Sequence, residues 1–199
     1  MGLLSDVEIL SLCQGDRPMI PGVKDINQIT KTEDGEKIMG YGIDSYGYDA
    51  RLSDDVEIFT AVNSNGEVFD PKRPTERGRV KGIIEHEGSE SWLVLPPGGF
   101  MLGHCPEYVS MPDDCIAIVL GKSGYARNGI IVNPTVLKPG WEGQVVLEIH
   151  NSTPVPVRIY VNEGIAHLIF IRGDMACAAD YLARGGKYQG QKGNTPGRV

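Results

Sequence analysis

The sequence has no uninterrupted apolar run near the roughly 20 residues that a membrane-crossing helix needs. Its opening, MGLLSDVEIL, has no basic residue and carries Asp6 and Glu8 in its only apolar stretch, so it does not read as a secretory signal. Position 6 is Asp6, not the Ser or Thr that completes an N-myristoylation signal. Cysteine is scarce. Cys13, Cys105, Cys115 and Cys177 form no CxxC and no framework spacing, which predicts buried free thiols in a reducing cytoplasm. The four histidines (His86, His104, His150, His167) include no HxxxH pair, and no HxE is followed by PCxxC, so no protein-bound zinc is expected. His104 and Cys105 are adjacent and would leave a strand on opposite faces. A basic excess is also missing. With 19 Lys+Arg against 26 Asp+Glu, the net charge is -7, which argues against a nucleic-acid binder.

Turn formers are plentiful instead, with 26 Gly and 13 Pro and no collagen period. The length of 199 residues suits one domain with a sizeable core. Ser5 with Glu8 three residues on is a capping box, and Val7, Ile9, Leu10 and Leu12 follow, predicting a two-turn helix that ends near Gln14-Gly15. Residues 15–42 read as loop with short extended pieces. Strands are expected at Val56–Phe59, Ser91–Leu95, Phe100–His104, Cys115–Leu120, Ile130–Asn133, Gln144–His150, Val155–Val161 and Ala166–Ile171. Turn clusters such as Pro112-Asp113-Asp114 and Asn162-Glu163-Gly164 separate them. Short strands at this spacing predict an all-β, jelly-roll-like domain over 1–180. Beyond Asp180 there is no acid. Arg184, Lys187, Lys192 and Arg198 make the tail +4 and leave 15 basic against 26 acidic residues in the body. Residues 181–199 are therefore either a solvated terminus or a mobile lid that closes over an anion.

Two stretches carry candidate chemistry. GKSGYAR, residues 121–127, follows an apolar strand and packs Lys122, Ser123 and Arg127 into six residues. It is not a Walker A loop, because the required first glycine would sit at Ile116 and no helix pattern follows. Two cations and a hydroxyl among small residues suit a polyphosphate, and equally suit a charged surface turn. In Gln144–His150, Val145, Leu147 and Ile149 share the core face, which places Glu148 on the other face with Val146. A Glu there is either solvent-facing or, if another subunit covers it, a general acid and base with a raised pKa. No GxSxG elbow exists, so a Ser-His-Asp triad is not expected.

Several stretches together resemble one family. SYGYDARL (45–52), FDPKRP (69–74), GKSGYARNGIIVNPT (121–135), PGWEGQVVLEIHNSTPVPVRIYVNEGIA (139–166) and RGGKYQGQKG (184–193) are similar to the bacterial dCTP deaminases of the dUTPase-like superfamily. The resemblance implies a distorted jelly-roll, β-clip-like domain with a mobile C-terminal lid, and metal-free hydrolysis of dCTP to dUTP and ammonia. It implies Glu148 as the proton shuttle, with Ser123 and Arg127 positioning the water, the Glu and the cytosine. It implies a triphosphate- and base-contacting loop from Lys122 through Gly124, Tyr125 and Ala126 to Arg127. Thr135, Val146 and Leu147 would lie against the nucleoside, with His167 near the nucleotide, and Tyr181, Lys187 and Gln191 would close from the tail. The implied assembly is a homotrimer with shared active sites. Mg2+ would arrive on the substrate triphosphate, and dUTP and dTTP would act as product or feedback ligands.

Two positions depart from the family pattern. His167 stands where Gln is usual, and Gly124 where Ser or Thr is usual, leaving room for altered pH sensitivity or a modified dCTP as substrate. A dUTP pyrophosphatase on the same fold would need an Asp at the position of Lys138 and a Phe-bearing glycine-rich tail, neither of which is here. A bifunctional enzyme that releases dUMP is the alternative. Similar folds also serve as binding modules, but Ser123, Arg127 and Glu148 occurring together favour an enzyme.

Overall fold

The computed structural model describes residues 2–61, 66, 68–73 and 77–198. In chain order the elements are β1 (Gly2–Leu3), α1 (Asp6–Cys13), β2 (Gln28–Lys31), β3 (Lys37–Asp44), β4 (Gly47–Arg51), β5 (Glu57–Phe59), β6 (Arg79–Lys81), β7 (Glu85–Glu87) and β8 (Glu90–Leu95). They continue with β9 (Phe100–Ser110), β10 (Cys115–Gly121), α2 (Ser123–Ala126), β11 (Ile130–Val132), β12 (Thr135–Leu137), β13 (Glu142–Asn151), β14 (Val157–Tyr160) and β15 (Gly164–Arg172). The strands form a seven-stranded sheet in the order β12-β10-β15-β4-β3-β2, with β1 added to β15. A five-stranded sheet runs β11-β13-β9-β5-β6, and a three-stranded one β14-β8-β7. All strand pairs are antiparallel. Among the described residues no helix is long and apolar enough to cross a membrane.

Alternation along the strands builds the core. On β10, Cys115, Ala117 and Val119 are buried; on β13, Val145, Leu147 and Ile149; on β15, Leu168 and Phe170. These side chains belong to one continuous apolar cluster that draws on both large sheets. The all-β class read from the turn spacing therefore holds, and so does the helix, in which Glu8 reaches back to accept the Ser5 backbone N–H at 3.0 Å. The expected alternation of β13, with Glu148 opposite the core, is also present.

Elsewhere the structure corrects the sequence reading. Residues 15–42, read mostly as loop, hold β2 and most of β3. Strand β2 is exposed along its whole length at a sheet edge, so it carries no apolar alternation to read. Strands β6 and β7 are short and charged for the same reason. Strand β9 runs on to Ser110, past the expected end at His104. A single helical turn, α2, begins at Ser123 within GKSGYAR, where none was expected. Cys13, Cys105 and Cys115 are buried, whereas Cys177 is exposed. Pro74, the end of the FDPKRP stretch, lies outside the described residues.

The turn after β13 depends on one buried amide. Asn151 is fully buried, and its Nδ2 donates to the carbonyls of Leu95 (3.0 Å), Pro96 (3.1 Å) and Val155 (2.8 Å). Its Oδ1 accepts from the Thr153 N–H at 3.0 Å and from the Thr153 hydroxyl at 2.8 Å. Asn151→Ala would strand several of these groups and is expected to lower the urea-unfolding free energy by about 2–4 kcal/mol. A loss under about 0.5 kcal/mol, the usual surface value, would contradict this role.

Candidate active site

Strand β13 carries Glu148 into a cavity of about 380 Å³. One wall is aromatic and apolar, with Phe59, Phe100, Leu102, Trp141 and Val146; Thr135 and Lys138 line another side. The strand is held on both edges around the carboxylate. Glu148 pairs with Leu102 on β9, and its carbonyl accepts the Asn133 N–H at 2.8 Å. The side chain is part-buried, and its Oε2 is shielded from solvent with no hydrogen-bond partner. Burial raises the carboxyl pKa above its ordinary value, and the Asn133 side chain, acting on the charged form, only partly offsets this. The result is a carboxyl with an unpartnered oxygen, lining a cavity with aromatic and apolar neighbours.

The tail forms the rest of the wall. After Asp180 the chain turns back and runs along the start of β13, where Gly143 and Gln191 form a parallel bridge. The Gln144 N–H donates to the Gln191 carbonyl at 2.9 Å, and Gln191 Nε2 donates to the Gln144 carbonyl at 2.8 Å. Gly143 has φ 149°, and a Cβ there would stand 2.9 Å from the Gln191 carbonyl, so glycine is required for this approach. Trp141 Nε1 donates to the Tyr188 carbonyl at 3.1 Å, and Asn194 Nδ2 to the Asp55 carbonyl at 2.7 Å. Tyr181, Tyr188 and Gln191 thus line the Glu148 cavity. Lys187 is exposed outside it, with Nζ 3.4 Å from the Arg198 carbonyl.

The GKSGYAR loop lies elsewhere on the chain. Lys122 and Ser123 line a depression of about 330 Å³ with Asp44, Asp49 and His167. Gly124 and Tyr125 border a separate one. Lys122 caps α2, and the Arg127 N–H donates to the Ser123 carbonyl at 3.0 Å. Ser123, Gly124, Ala126 and Arg127 are exposed, and among the described residues no ion pair engages Arg127.

A single chain therefore brings Glu148, Thr135, Val146, Tyr181 and Gln191 together, and separately Lys122, Ser123 and His167. It does not bring Ser123 or Arg127 to Glu148. The side chains of three expected contacts are engaged within the chain itself. The Leu147 side chain is in the core, 1% exposed, because the period-2 alternation that turns Glu148 outward turns Leu147 inward. Tyr125 is buried, and its hydroxyl is occupied accepting the Tyr160 N–H at 3.0 Å. Lys122 is not a free cation, because its ammonium pairs with Asp49. Sequence reasoning missed Asn133, the aromatic wall and Asp49. The signal for Asp49 was present: it is the one acid in SYGYDARL, within four consecutive buried positions.

A family model described as dCTP deaminase-like matches residues 23–173. A dCTP deaminase of Paraburkholderia phymatum is 47% identical over 169 residues, 85% of each chain. One from Paraburkholderia xenovorans is 43% identical over 195 residues, 98% of each chain. The crystal structure of 2'-deoxycytidine 5'-triphosphate deaminase from Agrobacterium tumefaciens shares the fold, with a TM-score of 0.58 at 19% identity. The match covers 86% of this chain and 48% of that one, so this protein spans about half its length. The length and identity of these matches make this chain a member of the dCTP deaminase-like family.

Proposed function

We propose that this protein hydrolyses dCTP to dUTP and ammonia, at a site assembled from more than one copy of the chain. The observation that carries the chemistry is Glu148, a desolvated carboxyl with an unpartnered oxygen in an aromatic-walled cavity. Relatives at 43–47% identity named dCTP deaminase support the substrate.

In this mechanism Glu148 takes a proton from a water, and the resulting hydroxide adds to C4 of the cytosine. The same carboxyl then delivers that proton to the ring nitrogen. A second proton moves from the added hydroxyl to the amino group, the C4–N bond breaks, and ammonia leaves as the carbonyl of uracil forms. One group that both accepts and donates works best with a pKa near the working pH, and burial moves Glu148 in that direction. The cavity offers threonine, lysine, tyrosine and glutamine around Glu148, neither thiolate nor imidazole, so the donors do not suit Zn2+. The body of the chain is acidic, and exposed Arg127 and Lys187 supply the local cations a triphosphate needs. Magnesium would ride on the phosphate oxygens of the substrate.

Ser123 and Arg127 lie exposed in one region while Glu148 waits in another. Placing the loop of one copy beside the cavity of the next completes both, which favours a homotrimer with shared sites. A cytoplasmic enzyme supplying dUTP for pyrimidine deoxynucleotide synthesis fits this activity.

Glu148→Gln is expected to lower the deamination rate by about 10²–10⁴-fold, measured as ammonia and dUTP released from dCTP. It should not destabilise the fold. A raised folded pKa means the folded chain holds a proton that the unfolded chain gives up, so this group's contribution to stability is lost as pH rises through the folded value. The variant escapes that loss, so its Tm should equal or exceed that of the parent at neutral pH, and the gap should close in acid. A lower Tm at neutral pH would contradict the assignment of the burial.

Sharing of the site is tested by mixing. Glu148→Gln and Arg127→Ala, each inactive alone, are co-refolded in equal amounts. Random hybrids should regain about a quarter of parental activity, because about a quarter of sites then receive both intact groups. No recovery would mean that both groups act within one chain.

A further inference from the structure

One row of the seven-stranded sheet runs through Leu120, His167, Asp49, Gly42 and Gln28, joining β10, β15, β4, β3 and β2. Its centre is the Asp49 carboxylate, which is 4% exposed. Oδ1 accepts from His167 Nδ1 at 2.8 Å. Oδ2 accepts from Gln28 Nε2 and from Lys122 Nζ. Gln28 reaches across because the position between, Gly42, has no side chain; a Cβ there would meet the Asn27 carbonyl at 2.5 Å. Burial alone would raise the Asp49 pKa, but the donors from His167 and Lys122 outweigh it and hold the group ionised.

Lys122 is fixed at both ends. Its N–H donates to the Ile165 carbonyl at 3.1 Å, and its ammonium, only 16% exposed, contacts Asp49 and the Gly40 carbonyl. A buried ammonium without a carboxylate is strongly unfavourable, so this pair holds the residue in place. Lys122 is also the first residue of the turn that presents Ser123 and Arg127, with its carbonyl accepting the Ala126 N–H at 3.0 Å. Among the described residues Ser123 and Arg127 have no comparable side-chain anchors; their positions follow from Lys122 and from buried Tyr125.

We propose that Asp49 is a positioning residue of the deaminase site, which fixes the Ser123–Arg127 turn by holding Lys122. This rests on the function proposed above. In this role Asp49 acts through Lys122 and not on the substrate. With three donors on its two oxygens it is a well-partnered anion, in contrast to Glu148, whose open oxygen can take and give a proton.

The test compares the parent with Asp49→Asn, Lys122→Gln and the double variant, in full-length protein, by Tm and by steady-state kinetics on dCTP. Each single change is expected to lower kcat by at least about tenfold, because displacement of a reacting group by about 1 Å is enough for that, while KM shifts by less than about threefold. The double variant should match the worse single variant, since both remove one connection. Unchanged kcat in Asp49→Asn, or a double variant with the product of the two losses, would overturn the proposal. So would a raised KM with intact kcat in Lys122→Gln, which would place that ammonium on the phosphates. Should Asp49→Asn fail to fold, Lys122→Gln with its kcat and KM split carries the same decision. A parent with no activity on dCTP would sink the function and this inference together, whereas an active parent with an unaffected Asp49→Asn would sink this inference alone.

Discussion

Everything the site can do depends on keeping one carboxyl away from water without giving it a full set of partners. Strand β13 achieves this by being paired on both sides, so Glu148 cannot swing out, and by alternation, so it cannot turn inward. Aromatic side chains and the returning tail line the cavity it faces. A carboxylate so placed is an unstable charge, and that instability is its usefulness: it takes up a proton more readily than an ordinary glutamate and comes closer to the balance that accepting and passing one on requires.

Electrostatics divides the molecule in a complementary way. The body is acidic, yet the substrate class is a polyanion, so cations must be concentrated where phosphates go. One apparent cation, Lys122, is neutralised within the sheet and serves the framework. Arg127 and the tail lysines stay exposed. The two kinds of carboxylate follow the same division. Asp49 is held by three donors within the sheet, while one oxygen of Glu148 has no hydrogen-bond partner.

Much of this was legible in the residues. The turn clusters and apolar alternation gave the core strands, because burial on one face imposes period 2 on the sequence. Exposed edge strands such as β2 and β7 left no such imprint, and they were missed or read as loop. The outward direction of Glu148 followed from Val145, Leu147 and Ile149. Its burial did not, since Phe59 and Phe100 lie far from it in sequence and line its cavity only through strand pairing, and the turn before β13 sets the place of Trp141. Residue type does not show long-range partners: in GKSGYAR, Lys122 is paired with Asp49, and the Tyr125 hydroxyl accepts the Tyr160 N–H.

The central claim concerns the proton affinity of one side chain in the folded protein. It is measured most directly by following glutamate side-chain carboxyl carbons by NMR across a pH titration, with Glu148→Gln to assign the signal. The account predicts that the missing signal is the one titrating clearly above the ordinary glutamate value of about 4.3. A Glu148 that titrates at or below that value would contradict it.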